Sequence, residues 1–201
     1  MENKTPVSPA KKGQSADETE TEGTGKPQKT LKQIFENILQ DTYNAEKQLI
    51  KALPDMVKAA FNENLQDAFG NHLDQTKRHV ERLDKVFGYL HIDSGNETCE
   101  AMEGLIRECK ETIREYGESD VRDTALIINA QKIEHYEIAA YGSLCELADV
   151  LGLNKIADLL DRTLQEEKEA DHMLTHIARE VNDEAYALSE DDGKLYRNGR
   201  F

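Results

Sequence analysis

The 201-residue chain carries 25 basic and 40 acidic residues, a formal charge of −15. That surplus repels phosphate backbones and anionic lipid, so it argues against nucleic acid and membrane surfaces as partners. With 32% charged and 38% hydrophobic residues, no Trp and four Pro, the composition is that of a soluble, helix-rich protein of one domain.

Three cysteines, Cys99, Cys109 and Cys145, show neither CxxC nor zinc-like spacing. Structural disulfides are not expected, and a reducing cytoplasm fits best. Neither an apolar leader core at the N-terminus nor a run of about 18 apolar residues is present, so a cytoplasmic location is expected.

Residues 1–29 hold Pro6, Pro9, Pro27, three Gly, and five basic against five acidic residues, with little to bury. They read as a disordered N-terminal tail. A first helix begins after Thr30, a good N-cap, with a stripe through Leu31, Phe35, Leu39, Ala45, Leu49, Leu53 and Met56. Pro54 removes one backbone donor, but the stripe runs past it to Phe61, so the helix is expected to bend there and not to end. Asp41 lies between Ile38 and Ala45 and reads as an inward acid.

Asn62 to Asn64 breaks the pattern, and a second helix is predicted over 65–90. Its stripe is Leu65, Phe69, His72, Thr76, His79, Leu83 and Phe87, with Gln75 on its edge. The hairpin is short, so these two helices are antiparallel neighbours. Residues 91–119 form a crossover, with a helix of its own over about 97–116.

A third long helix is predicted over 120–151, stopping at Gly152, and a fourth over 154–181. Residues 182–201 turn polar and read as a C-terminal tail. At about 1.5 Å per residue each long helix spans roughly 40 Å. Two long hairpins joined by one crossover define an all-α, ferritin-like four-helix bundle with an extra helix in the crossover.

The stretch AQKIEHYEIAAY, residues 130–141, is where the chemistry concentrates. Glu134 and Glu137 sit inside a stripe of Leu126, Ala130, Ile133, Tyr141 and Leu144, one turn apart. A carboxylate in a core costs several kcal/mol unless it is protonated, paired or bound to a metal. Glu167 occupies the stripe of the fourth helix, with Asp171 one turn on. Asp41 precedes Gln75 by 34 positions and Glu134 precedes Glu167 by 33, so both pairs should lie at one depth of their hairpins.

The stretches DTYNAEKQLIKALPDM, HLDQT, AMEGLI, KIEHYEIAAYGSL and LQEEK resemble the YciF/YciE type of ferritin-like proteins, a bacterial stress-associated family. The resemblance covers residues 30–181. It implies a homodimeric four-helix bundle with a dimetal centre, holding one or two Fe or Mn ions per chain. Ferritin-like centres draw one Glu from each of two helices and a Glu-x-x-His pair from each of the others. Carried over, Asp41 and Glu134 match the single carboxylates, each with a Tyr two residues later, Tyr43 and Tyr136.

His72-x-x-Gln75 stands where the family pattern has His-x-x-Glu, and Glu167-x-x-Ala170 lacks the final His. Glu137 and Asp171 are the acids near enough to compensate. The candidate metal ligands are therefore Asp41, His72, Gln75, Glu134, Glu137, Glu167 and Asp171. Glu46 lies off the face of Asp41 and reads as a salt-bridging residue. A literal Glu169-x-x-His172 shares its face with Arg162 and His176 and reads as solvent-exposed.

Two functions are open at this stage. One is a metal-dependent oxidoreductase whose substrate is a small oxidant such as peroxide, or Fe(II) itself. The other is a non-catalytic, dimeric helical interaction protein whose buried polar cluster sets helix register.

Overall fold

A computed structural model describes residues 29–191, with side chains through residue 187; the expected N-terminal tail falls almost wholly outside them, and residues 192–201 do as well. Five helices make up the described chain: α1 Leu31–Ala59, α2 Glu63–Leu90, α3 Glu100–Glu115, α4 Asp120–Val150 and α5 Asn154–Asp191. Four are long, and they pack as a ring, α1 on α2, α2 on α5, α5 on α4 and α4 on α1. The short α3 lies against α1 and α4.

Local chemistry sets the helix ends. Thr30 Oγ1 accepts from the Gln33 N–H at 3.2 Å while the Gln33 side chain accepts from the Thr30 N–H at 2.9 Å, so two backbone donors are satisfied reciprocally. The helix runs on through Pro54, as the continuing stripe requires. Asn62 caps α2, accepting from the Leu65 N–H, and Ser119 caps α4, accepting from the Arg122 N–H. Gly152, at φ +72°, lets the chain leave α4, and the Leu153 N–H donates back to the Ala148 carbonyl.

The fourth helix extends ten residues beyond its expected end at Val181. Neither Gly nor Pro follows Val181 until Gly193, so no strong breaker stops the helix at Asn182.

The start of α4 clamps the α1–α2 turn. Asp123 accepts from the Phe61 N–H at 3.0 Å and the Asn62 N–H at 2.7 Å, and the Arg122 guanidinium donates to the Ala59 carbonyl. This fixes the axial register of α4 against the first hairpin, and with it the height at which Glu134 and Glu137 meet α2.

The core divides in two. One apolar cluster gathers the C-terminal half of α1, the start of α2, α3, the first half of α4 and the far end of α5, including Leu53, Phe69, Met102, Ile133 and Leu174. The other joins the start of α1, the end of α2, the second half of α4 and the start of α5, including Phe35, Leu83, Tyr141, Leu144 and Leu160. Between them lies a polar layer, here termed the waist: Glu46, His72, Thr76, His79, Glu134, Glu137, Thr163 and Glu167, none more than 6% exposed. No helix among the described residues is long and apolar enough to cross a membrane.

Candidate metal centre

Helical periodicity places each waist residue. On α2, His72, Thr76, His79 and Leu83 recur at four, three and four residues, so both imidazoles share the buried face. On α4 the same logic aligns Glu134 and Glu137 with Tyr141 and Leu144. On α1, Glu46 lies seven residues after Leu39 and three before Leu49, in the middle of the apolar stripe. Glu167 enters from α5, fully buried.

Two groups of ligand atoms converge. His72, Glu134, Glu137 and Glu167 each offer an atom within 4.8 Å of the others, and Glu46, His79 and Glu167 do the same. Glu167 belongs to both. Together they supply four carboxylates and two imidazoles from four helices, the donor complement of dimetal carboxylate bundles, though with a different distribution along the chain.

The two histidines are held differently. His79 Nε2 lies 2.8 Å from Glu166 Oε2, and the Arg82 guanidinium grips both oxygens of Glu166 at 3.0 and 2.9 Å while donating to Thr163 Oγ1 at 2.6 Å. The Nε2–H therefore donates to Glu166, which leaves Nδ1 facing Glu167 Oε1 at 2.9 Å and Glu46 Oε1 at 3.4 Å. An imidazole oriented by a carboxylate on its far nitrogen is the usual arrangement of a metal ligand. His72 Nε2 stands 3.3 Å from Glu134 Oε1, and its Nδ1 is 4.0 Å from Glu167 Oε2.

The approaches of His79 Nδ1 and of His72 to the waist carboxylates are close contacts that lack hydrogen-bond geometry. Ten buried side-chain nitrogen or oxygen atoms among the described residues lack a hydrogen-bond partner, and nine belong to Glu46, His72, His79, Glu134, Glu137 and Glu167. Both oxygens of Glu137, both of Glu167 and both nitrogens of His72 are orphaned. Each unsatisfied buried polar group costs about 1–3 kcal/mol, and more when charged. Buried oxygens and imidazole nitrogens aimed at one another fit a divalent metal ion that accepts a mixed nitrogen and oxygen donor set.

The electrostatics say the same. Burial raises the Glu134 and Glu137 carboxyls well above the ordinary value, and the charges of Glu167 and Glu46 push them further. Glu46 is raised as well, chiefly by burial. Burial pulls His72 down to about 4, so it is neutral at pH 7 with ring nitrogens free to ligate. Burial also works against a charged His79, but the Glu167 and Glu46 carboxylates outweigh it and hold it up at about 10. A proton on His79 is the positive charge the apo waist uses to offset its acids, and a metal ion would take that role at Nδ1.

Four of the expected ligands, His72, Glu134, Glu137 and Glu167, come together as the sequence spacing predicted. Three others do not join them. Asp41 is a half-buried side chain whose Oδ2 accepts from the Tyr136 hydroxyl at 2.7 Å and the Cys99 thiol at 3.3 Å. It points towards α3 because it lies roughly 140° around α1 from Glu46, five residues on. Asp171 accepts from the Gln131 amide at 3.1 Å and faces the His135 ring on the outer side of α5. Gln75 is half-buried beside the centre without being a member of either group.

Glu46 and His79 are the ligand candidates that sequence spacing did not single out. Glu46 is salt-bridging as expected, but inside the waist: it is fully buried, lies 3.4 Å from His79 Nδ1, and accepts from the Tyr141 hydroxyl. Its spacing to Leu39, Leu49 and Leu53 carried the signal, as did the seven-residue step from His72 to His79. Glu169, His172 and His176 are exposed, as their face of α5 predicted. Tyr43 donates to Asp84 at 2.8 Å, away from the waist.

Residues 30–187 match a family model described as a domain of unknown function, DUF892. The chain is 48% identical over 151 residues to Protein YciF of Escherichia coli strain K12, an alignment that covers 75% of this chain and 91% of that protein. The crystal structure of the E. coli stress protein YciF matches with a TM-score of 0.75 at 46% identity, covering 78% of this chain and 99% of that one. YcfI of Rhodopseudomonas palustris matches with a TM-score of 0.71 at 41% identity over 73% of this chain and 94% of its own. A Xanthomonas campestris protein at 18% identity and TM-score 0.63 shares the fold.

Proposed function

The chain belongs to the DUF892 family, and we propose that it is a ferritin-like four-helix bundle whose waist binds two divalent Fe or Mn ions and acts on peroxide or on Fe(II) and oxygen. The observation that carries this reading is the set of nine orphaned ligand atoms on six buried residues from four helices. A polar network kept only to set helix register would pair most of its own members; here both oxygens of Glu137 and both nitrogens of His72 have no hydrogen-bond partner, while His79 offsets Glu46 and Glu167.

His72, Glu134 and Glu137 would hold one ion, Glu46 and His79 the other, and Glu167 would serve both. Two such ions supply redox equivalents and Lewis acidity to a small oxidant. The chain itself supplies orientation and proton control. Arg82 fixes Glu166, Glu166 fixes the proton on His79 Nε2, and the Tyr141 hydroxyl holds Glu46 Oε1 so that Oε2 stays free. Loading requires Glu134 and Glu137 to give up protons that burial lets them keep. The two apolar clusters above and below exclude water from the reacting side chains.

The E. coli relative is called a stress protein, a name with which an oxidant-handling role is compatible. We also take the working unit to be a cytoplasmic homodimer, which gel filtration measures directly: a dimer agrees, a monomer or a many-subunit cage does not.

The test is metal content per chain on untagged protein reconstituted anaerobically with Fe(II) or Mn(II), followed by peroxide consumption and Fe(II) oxidation. Near two ions per chain, lost in Glu167→Ala together with turnover, is the expected result. No bound metal, with an unchanged melting temperature on adding it, would leave only the structural account of the waist.

A further inference from the structure

A cavity of about 210 Å³ enters the bundle between α2 and α5 and ends on His72 and Glu134. Leu49, Leu53, Phe69 and Ile133, all buried, form its walls. The room comes from small side chains facing one another, Ala68 on α2, Ala130 on α4 and Ala170 on α5. Ala170 is three residues past Glu167, the position that a Glu-x-x-His pair would fill with an imidazole. A methyl group there leaves roughly a ring's worth of space beside the waist. An apolar cavity of about 150 Å³ is already large enough to take up benzene.

The floor differs from the walls. His72 is 6% exposed, neither of its ring nitrogens has a hydrogen-bond partner, and Glu134 Oε2 lacks one too. A purely apolar guest would leave these atoms unpaired, at a cost that a hydrogen-bond donor removes. An anion would meet the carboxylate of Glu169 at the mouth.

We infer that this cavity is a binding chamber for a neutral, single-ring organic molecule carrying a hydroxyl group, a phenol in chemical class. Its ring lies between Leu49, Leu53, Phe69 and Ile133, and its O–H donates to an unpaired acceptor at the floor, on His72 or Glu134. Its floor residues, His72 and Glu134, are also ligands of the proposed metal centre, so the chamber is tested on the metal-free protein, where loss of phenol binding and loss of metal binding are read separately.

The experiment titrates phenol, toluene and benzoate into the full-length, chelator-treated protein and follows binding by saturation-transfer NMR and calorimetry. Saturable one-to-one binding of phenol, no weaker than that of toluene, with benzoate failing to compete, is expected. Ala170→Leu fills the chamber and should weaken phenol at least tenfold; if circular dichroism shows that this variant is unfolded, Ala68→Leu makes the same test from α2. The inference is overturned by the absence of saturable phenol binding, by unchanged affinity in a folded Ala170→Leu or Ala68→Leu variant, by toluene binding more tightly than phenol, or by benzoate binding as tightly as phenol.

Discussion

Asp123 at the start of α4 and Glu137 near its middle are both fully buried carboxylates on one helix, yet their surroundings are opposite. Asp123 accepts the Phe61 and Asn62 backbone N–H groups, so its burial is matched by donors that the chain turn has to satisfy anyway. Glu137 has no donor on either oxygen and three further carboxylates around it, Glu46, Glu167 and Glu134, all of which press on its charge. The first region is an internal solution to the cost of burying an acid. The second is unsolved by the protein's own atoms, and a cation is the natural completion. Burial of a charge therefore does not by itself mark a functional site; burial without partners does.

The comparison breaks most sharply at the level of metal count. Glu46→Ala and His72→Ala should each remove one of two ions per chain, since each belongs to only one ligand group, whereas Asp123→Ala should leave the count unchanged. Elemental analysis after anaerobic loading reads all three.

Stability of the metal-free protein should respond with opposite signs. Asp123→Ala strands the Phe61 and Asn62 N–H groups and should lower unfolding free energy by about 1–3 kcal/mol. Glu137→Leu removes an unpaired buried acid and should leave that free energy unchanged or raise it by about 1–4 kcal/mol. Denaturant titration in chelator decides, and a destabilising Glu137→Leu would mean that the acid has a structural partner.

Arg82→Ala acts at one remove. Without the guanidinium, Glu166 no longer fixes the His79 proton at Nε2, and metal affinity should fall about 10–100-fold with the stoichiometry retained. Competition with a coloured chelator measures it.

A further effect appears with pH. Glu46, Glu134 and Glu137 have folded-state values raised above the ordinary 4.5. The folded apo protein thus holds protons that the unfolded chain has released. The stability these groups contribute is complete below pH 4.5 and is lost as pH rises through their raised values. Each retained proton corresponds to a slope of about 1.4 kcal/mol per pH unit. Apo stability should therefore fall from pH 5 to 8 while metal-loaded stability does not. Denaturation at several pH values, with and without Mn(II), makes the comparison.

The smallest effect expected is none. Asp41→Asn and Asp171→Asn should leave metal content as it is, because these acids face Tyr136 with Cys99, and Gln131 with His135. A lost ion in either would return them to the centre.

Most of the fold is legible because a 3.6-residue stripe needs no tertiary information: each helix start lies within about three residues of its expected position, and Gly152 marks the end of α4 as its φ requires. The end of α5 was not legible, since Asn182 is only a weak stop and the acidic residues after it tolerate a helix. Within the waist, His72, Glu134, Glu137 and Glu167 announced themselves as polar residues inside apolar stripes.

Glu46 did not, because the likeness of Asp41-Thr-Tyr43 to Glu134-His-Tyr136 drew attention to the wrong face of α1, and a step of five residues turns a side chain by roughly 140°. His79 stood on the predicted stripe of the second helix but outside the His72-x-x-Gln75 pair that the resemblance singled out. Local similarity between the hairpins was thus a poorer guide to the inward face than the positions of Leu39, Leu49 and Leu83.

The most direct measurement is an anomalous difference map from a crystal of the Mn(II)-loaded protein, collected at the manganese absorption edge. Two peaks flanking the Glu167 carboxylate, one beside His72 and Glu134 and the other beside His79 and Glu46, are what the waist predicts. A map without peaks there, with the six side chains instead hydrogen-bonded to one another, would contradict it.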